Sequence, residues 1–198
     1  MKSLIHSGRH TATHNAAPNV TGDDLAAAQP PADYEIRLDP EALLLCALMN
    51  IEGDPHGEAG VVLDYLHPTD FYRPTYGDLF AVMQRHRATG DPLHPAAINA
   101  TLANGAEEIA WSGGHHTKLL INLYGLNSIP SQIGYYAEQV LAESYRRSFA
   151  SMARFLAQAA EFAAETDLFP LMVEHGKKQR QAWARRQGLA PLLRGETE

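Results

Sequence analysis

Cysteine is nearly missing from this chain. Cys46 is the sole one among 198 residues, so no internal disulfide can form. It sits in the apolar run ALLLCALM, the setting of a buried inert thiol rather than a nucleophile. Long hydrophobic runs are missing too. No segment reaches the ~18 continuous apolar residues that would span a bilayer. The N-terminus has no apolar core of a secretory signal, so a cytoplasmic protein is expected. No Gly-rich stretch ends in GK[ST], which excludes the common phosphate cradle of ATPases. CxxC, HExxH and GxSxG are absent, and with them the usual thiol-redox, zinc-protease and serine-hydrolase arrangements. No pair of acids stands in an apolar setting that would raise one pKa for acid–base work. The reading is of a protein that is not an enzyme and holds no cofactor or metal.

Positive charge is scarce except at one end. Residues 1–170 carry 10 Lys+Arg against 20 Asp+Glu, whereas residues 171–198 carry 6 against 3. An acidic body does not make a broad footprint on duplex DNA, although the basic end can meet phosphate.

What the chain does have is helical period. From Ser131 to Ala164 there is no proline, and Gly134 is the only glycine. Ile133, Tyr136, Ala137, Val140, Leu141, Ser144, Arg147, Ser148, Met152, Leu156 and Ala160 recur on one side. At 1.5 Å per residue this predicts a helix of roughly 45–50 Å, long enough to need a partner helix. Its second half is rich in alanine (Ala150, Ala153, Ala157, Ala159, Ala160, Ala163, Ala164), which lets a neighbour approach closely. Thr166, Asp167 and Pro170 supply a break, and Leu171 to Gln187 reads as a return helix ended by Gly188 and Pro191. Leu168, Leu171, Met172 and Trp183 can meet the alanine stripe. The basic part of the return helix, with Lys177, Lys178, Arg180, Arg185 and Arg186, either covers a solvated face or contacts nucleic acid or an acidic partner.

Shorter helices precede the long one. Asp39 and Pro40 cap a nearly all-apolar helix from Glu41 to Met49, suited to the centre of a bundle. Further helices are predicted at Glu58 to Leu66, Pro74 to Ala88, Pro95 to Leu102, and from His115 through Leu123, with Trp111 in an unassigned segment. Phe71 and Tyr72 stand in a loop and are read as plugging the end of the bundle. His6, His10 and His14 fall at i, i+4, i+8 but lack helix formers around them, and His115 and His116 are adjacent, a poor pair for one metal. The expected organisation is a flexible leader over 1–37, a helical bundle over 38–127, a hairpin over 128–188 and a flexible tail over 189–198. The fold class is all-α: a compact orthogonal helical bundle followed by a long helix and a return helix.

The order and spacing of these features resemble the N-terminal domain of the bacterial replicative DNA helicases of the DnaB family. The likeness lies in PEALLLCALM at 40–49 and in Leu66 to Tyr72, where Asp70, Phe71 and Tyr72 look like the family's signature loop. Leu79 and Phe80, Gly90 to Leu93, and Gly113 with Gly114 are also similar. Downstream, Tyr135, Tyr136 and Ala137 are followed by Val140, Glu143, Arg146 and Arg147. Together these cover about residues 38 to 165. Cys46 stands where the family usually has glycine, and Pro130 to Tyr135 is a shortened stretch. The resemblance implies a bundle plus hairpin that pairs with another hairpin, as homodimer or higher oligomer, and that meets replicative helicase, primase or loader. It implies a stand-alone, non-catalytic accessory, loader or modulator in DNA replication, at the primosome. Tyr136, Val140, Phe149, Leu156 and Trp183 are the expected partner interface. The alternative reading is a DNA-binding regulator that uses the basic C-terminal helix.

Overall fold

A computed structural model of the chain describes residues 36–52, 55–104 and 115–196. These all fall in the unit Glu35–Glu198. The described residues are helical, with seven α-helices: α1 Pro40–Met49, α2 Gly57–Tyr65, α3 Pro74–Thr89, α4 Pro95–Asn104, α5 His115–Tyr124, α6 Ile133–Phe162 and α7 Glu165–Leu193. A 3-10 turn at Ile36–Leu38 precedes α1, and others at Pro68–Asp70 and Pro130–Gln132 lie before α3 and α6.

Helix α1 is the centre. The Asp39 carboxylate accepts the Glu41 N–H at 3.0 Å and Pro40 presets the first turn, so the helix start is fixed by sequence. Its apolar residues point in all directions, and Ala42, Leu44, Leu45, Cys46, Ala47, Leu48 and Met49 are all buried. It packs on α3, α5 and α6. Helix α3 adds Tyr76, Leu79, Phe80 and Met83 at i, i+3, i+4, i+7 and stops at Gly90, whose φ of 76° suits only glycine without strain.

The long helix begins inside this core. Ile133, Tyr136, Ala137, Val140 and Leu141 are buried with α1 and α2 before α6 runs out of the body. Residue 128 is therefore not a packing boundary, and the hairpin grows from the bundle's own core. The other expected boundaries shift as well. Ile36 packs against the core cluster, so the expected leader gives way to structure before residue 37; residues 1–35, with His6, His10 and His14, lie outside the described residues, as do Trp111, Gly113 and Gly114.

The break between the long helices is at Ala163 and Ala164, both extended, and not at Asp167–Pro170. Glu165 and Asp167 favour a helix start by opposing the helix dipole, and Pro170 near that start removes a single backbone bond. Nor does α7 stop at Gly188. It continues to Leu193, because Leu189 is fully buried and Leu193 lies against Gly134 of α6. The expected tail from residue 189 is thus helix down to Leu193. The buried Leu189, worth roughly 1.5–3 kcal/mol, and the packing of Leu193 on the core work against the glycine at 188 and the proline at 191, both inside the helix.

Candidate functional site

Where α6 leaves the body, three elements meet at one buried carboxylate. Asp70 ends the Pro68–Asp70 turn and is 3% exposed. Its Oδ2 accepts the His67 N–H at 2.7 Å, closing the turn, and its Oδ1 accepts the Ser144 hydroxyl at 2.9 Å. Arg185, from the far end of α7, donates Nη1 to Oδ1 at 2.7 Å and Nη2 to Oδ2, a two-pronged ion pair. Arg147 of α6 donates to the Asp70 carbonyl and lies over the Tyr72 ring at 5.6 Å. Burial alone would lift the Asp70 pKa, but Arg185, the His67 N–H and Ser144 together hold it below the usual value.

A second buried acid supports the same loop. Glu41 of α1 accepts the N–H groups of Tyr72 and Arg73, with Arg147 at 3.8 Å. Its pKa is raised, mainly by burial and further by Asp39, against the pull of those N–H groups and of Arg147. Both its oxygens are taken by the chain, so it anchors the loop and is not poised for proton transfer. Phe71 turns inward against Phe80, with ring centroids 5.0 Å apart, and plugs the bundle as expected; Tyr72 remains 46% exposed.

The hairpin seam is built from half-buried residues. Met152, Leu156 and Ala159 of α6, Ala163 after it, and Leu168, Leu171 and Ala182 of α7 are half-buried where the two helices pack. Phe155 stacks on His175 at 4.1 Å, and Ser148 meets Gln179 at 3.4 Å. Much of the alanine stripe is outside this seam, since Ala153, Ala157 and Ala160 are exposed.

One side of the hairpin is left apolar and uncovered. Phe149, Ala153 and Ala160 lie on one side of α6, with the half-buried Leu156 between them, and Phe169, Met172, Gly176 and Trp183 recur along one side of α7. Tyr145 touches both Phe149 (6.4 Å) and Trp183 (5.7 Å), which places the two rows on the same side. Ile133 and Val140, which enter the body, lie about 160–180° around α6 from Phe149 at ~100° per residue. Phe149 and Trp183 are each 50% exposed, and Met172 49%.

The residues expected at a partner interface therefore divide. Phe149 and Trp183 share the open side, whereas Leu156 is half-buried. Tyr136 and Val140 do not, because they are buried in the body core, and Tyr135 beside them is exposed. The basic group divides too. Lys177, Lys178, Arg180 and Arg186 stay at the surface or half-buried, with Lys178 paired to Glu174, while Arg185 is committed to Asp70. The joint itself had only a partial sequence signal. Ser144 and Arg147 interrupt the apolar side of α6 at an i, i+3 spacing, but nothing marked Arg185 or Tyr65. Among the described residues no group of three or more His, Cys, Asp or Glu is placed to hold a metal, and no helix is long and apolar enough to cross a membrane.

Comparison with known proteins agrees with this architecture. Residues 34–142, more than half the chain, match the family model described as DnaB-like helicase N terminal domain. The matched span stops where α6 leaves the body. Among solved structures, the N-terminal domain of DnaB helicase from Mycobacterium tuberculosis is similar in fold, with a TM-score of 0.58 at 21% identity, covering 77% of this chain and 99% of that one. No curated protein matches the chain. On the bundle, the signature loop and the family match together, this chain belongs to the DnaB-like helicase N-terminal domain family.

Proposed function

We propose that this chain is a non-catalytic homologue of the replicative-helicase N-domain that works in DNA replication by protein–protein contact, through the open side of its hairpin. The observation that carries this is the exposed apolar row of Phe149, Phe169, Met172 and Trp183 along one side of the hairpin. Exposed apolar rows of this kind mark interaction surfaces. The occupant that fits is a second hairpin of the same kind, from another copy or from a full-length helicase. Glu161, Glu165 and Asp167 cluster at the tip, while Arg146, Arg180 and Arg186 lie toward the base. Two hairpins laid antiparallel bring tip against base, so apolar rows supply affinity and the charges select orientation. The contact contains no residue set for chemistry; its effect is to add to, cap or modulate a helicase assembly as accessory, loader or modulator.

Native mass spectrometry of the purified chain, alone and mixed with the full-length replicative helicase of the same cell, tests this. The reading expects self-association and mixed species with the helicase. A chain that stays monomeric and ignores the helicase overturns it.

A second reading, DNA contact by the return helix, is favoured by one observation. Lys177, Arg180 and Arg186 form no ion pair with a described residue. It predicts affinity for DNA that falls steeply with salt and disappears when these three are neutralised together. Affinity unchanged by that replacement removes it.

A further inference from the structure

We propose that the Asp70–Arg185 ion pair is a clasp that holds the last third of the return helix to the body, and that it fixes how the hairpin's apolar side is presented. Three features separate a clasp from ordinary packing. The first is how little else holds the helix. Leu189 is the only fully buried residue of α7, and the first half of the helix is exposed or half-exposed along its whole length. The second is where the contacts concentrate. Around Arg185, Nη2 also donates to the Tyr65 carbonyl at 3.1 Å, the guanidinium lies 5.6 Å from the Tyr65 ring centre, and the Tyr65 hydroxyl donates back to the Arg185 carbonyl at 2.7 Å. One turn on, Gly188 leaves room for that hydroxyl, since a Cβ there would stand 2.6 Å from it. The third is the link at the other end. Ala163 and Ala164 join α6 to α7 in extended conformation, each making one backbone bond and only into its own helix: Ala163 N–H to Ala159 at 2.8 Å, and Asp167 N–H to the Ala164 carbonyl at 2.9 Å.

The body side of the clasp is preset. Asp70 is held by the His67 N–H, by Ser144 and, through its carbonyl, by Arg147 whether or not α7 is docked. Release of Arg185 therefore leaves the turn standing and frees the helix. Trp183, two residues before Arg185, is held against Tyr145 by the same docking, so the clasp sets the geometry of half the apolar side. Its consequence for pairing rests on the function proposed above; the clasp itself does not.

Hydrogen exchange on the full chain tests it with three variants: Asp70→Asn, Arg185→Gln and the double replacement. Amides of residues 182–193 are expected to exchange about tenfold faster or more in each, while those of α1 and α3 keep their wild-type protection. Unchanged exchange over 182–193 in Arg185→Gln overturns the clasp, as does wild-type protection in the double variant, where packing alone would then be holding the helix. Equal loss of protection in α1 and α3 also overturns it, by making the pair a support of the whole bundle. Native mass spectra of the same variants separate the two readings. Loosened 182–193 in a chain whose wild type never pairs supports the clasp and counts only against the proposed pairing.

Discussion

Replacing Gly77 with alanine sets two opposed effects in one methyl group. Gly77 lies in α3, where glycine is about 1 kcal/mol worse than alanine, so on helix propensity the change stabilises. The position is not open, however. A Cβ on Gly77 would stand 2.4 Å from the backbone oxygen of Pro68, where ordinary contact begins at 3.4 Å, so the two segments must part by roughly 1 Å. That oxygen accepts the Phe71 N–H at 3.3 Å and belongs to the turn that ends in Asp70. It cannot swing away like the end of a side chain. Overpacking of this kind costs about 1–3 kcal/mol or more, and with backbone on both sides the upper part of that range applies. The net expectation is a loss of about 2 kcal/mol, equivalent to about 4–8 °C in Tm for a chain of this size. Urea unfolding followed by circular dichroism at the helical minimum measures it. Unchanged or increased stability would refute the reasoning, because propensity would then outweigh the close approach of α3 to the loop.

Other changes are predicted from single contacts. Gly176→Ala, in α7 with nothing within 4 Å of the new methyl, should stabilise by about 0.8–1 kcal/mol in the same urea assay. Asp39→Ala should cost about 1 kcal/mol through loss of the α1 cap, seen as a lower urea midpoint at unchanged slope. On acidification, the folded Asp70 pKa lies below its unfolded value near ~3.9, so its contribution is present above that value and is lost as pH falls through the folded pKa. Arg185 faces it, with its own pKa raised chiefly by that hydrogen bond; Glu41, with its pKa raised, gives the opposite slope. Wild type should therefore lose more stability than Asp70→Asn between about pH 4 and 2, measured by urea midpoints at each pH.

Much of this fold is legible in the sequence because local signals agree with the tertiary ones. The cap at Asp39–Pro40, the apolar run after it, the i, i+3, i+4, i+7 rhythm of α3 and the length of α6 each point to what forms. The hairpin break was misplaced because Pro170 is a strong punctuation mark, yet α7 starts at Glu165 and carries it inside the helix. The end of α7 was missed for a non-local reason: Gly188 reads as a stop, but Tyr65, from more than a hundred residues earlier, fills the space it leaves. For the candidate site, helical rhythm picks out the exposed Phe149 and Trp183 and the half-buried Leu156 but cannot tell them from Tyr136 and Val140, which are buried. All five suit an apolar row, and only the direction in which the body covers α6 separates them. Arg185 stood among other cations as a surface charge, and its pairing to Asp70 depends on the hairpin's return.

The central claim is that the open side of the hairpin is a pairing surface, and sedimentation velocity tests it most directly. Wild type and a Phe149→Glu/Met172→Glu variant, which puts two charges in the exposed apolar row, are compared at equal concentration. The account predicts an assembled wild type and a monomeric variant with the same helical signal. A variant that assembles as well as wild type, or a wild type that sediments as a monomer both alone and mixed with the full-length helicase, contradicts it.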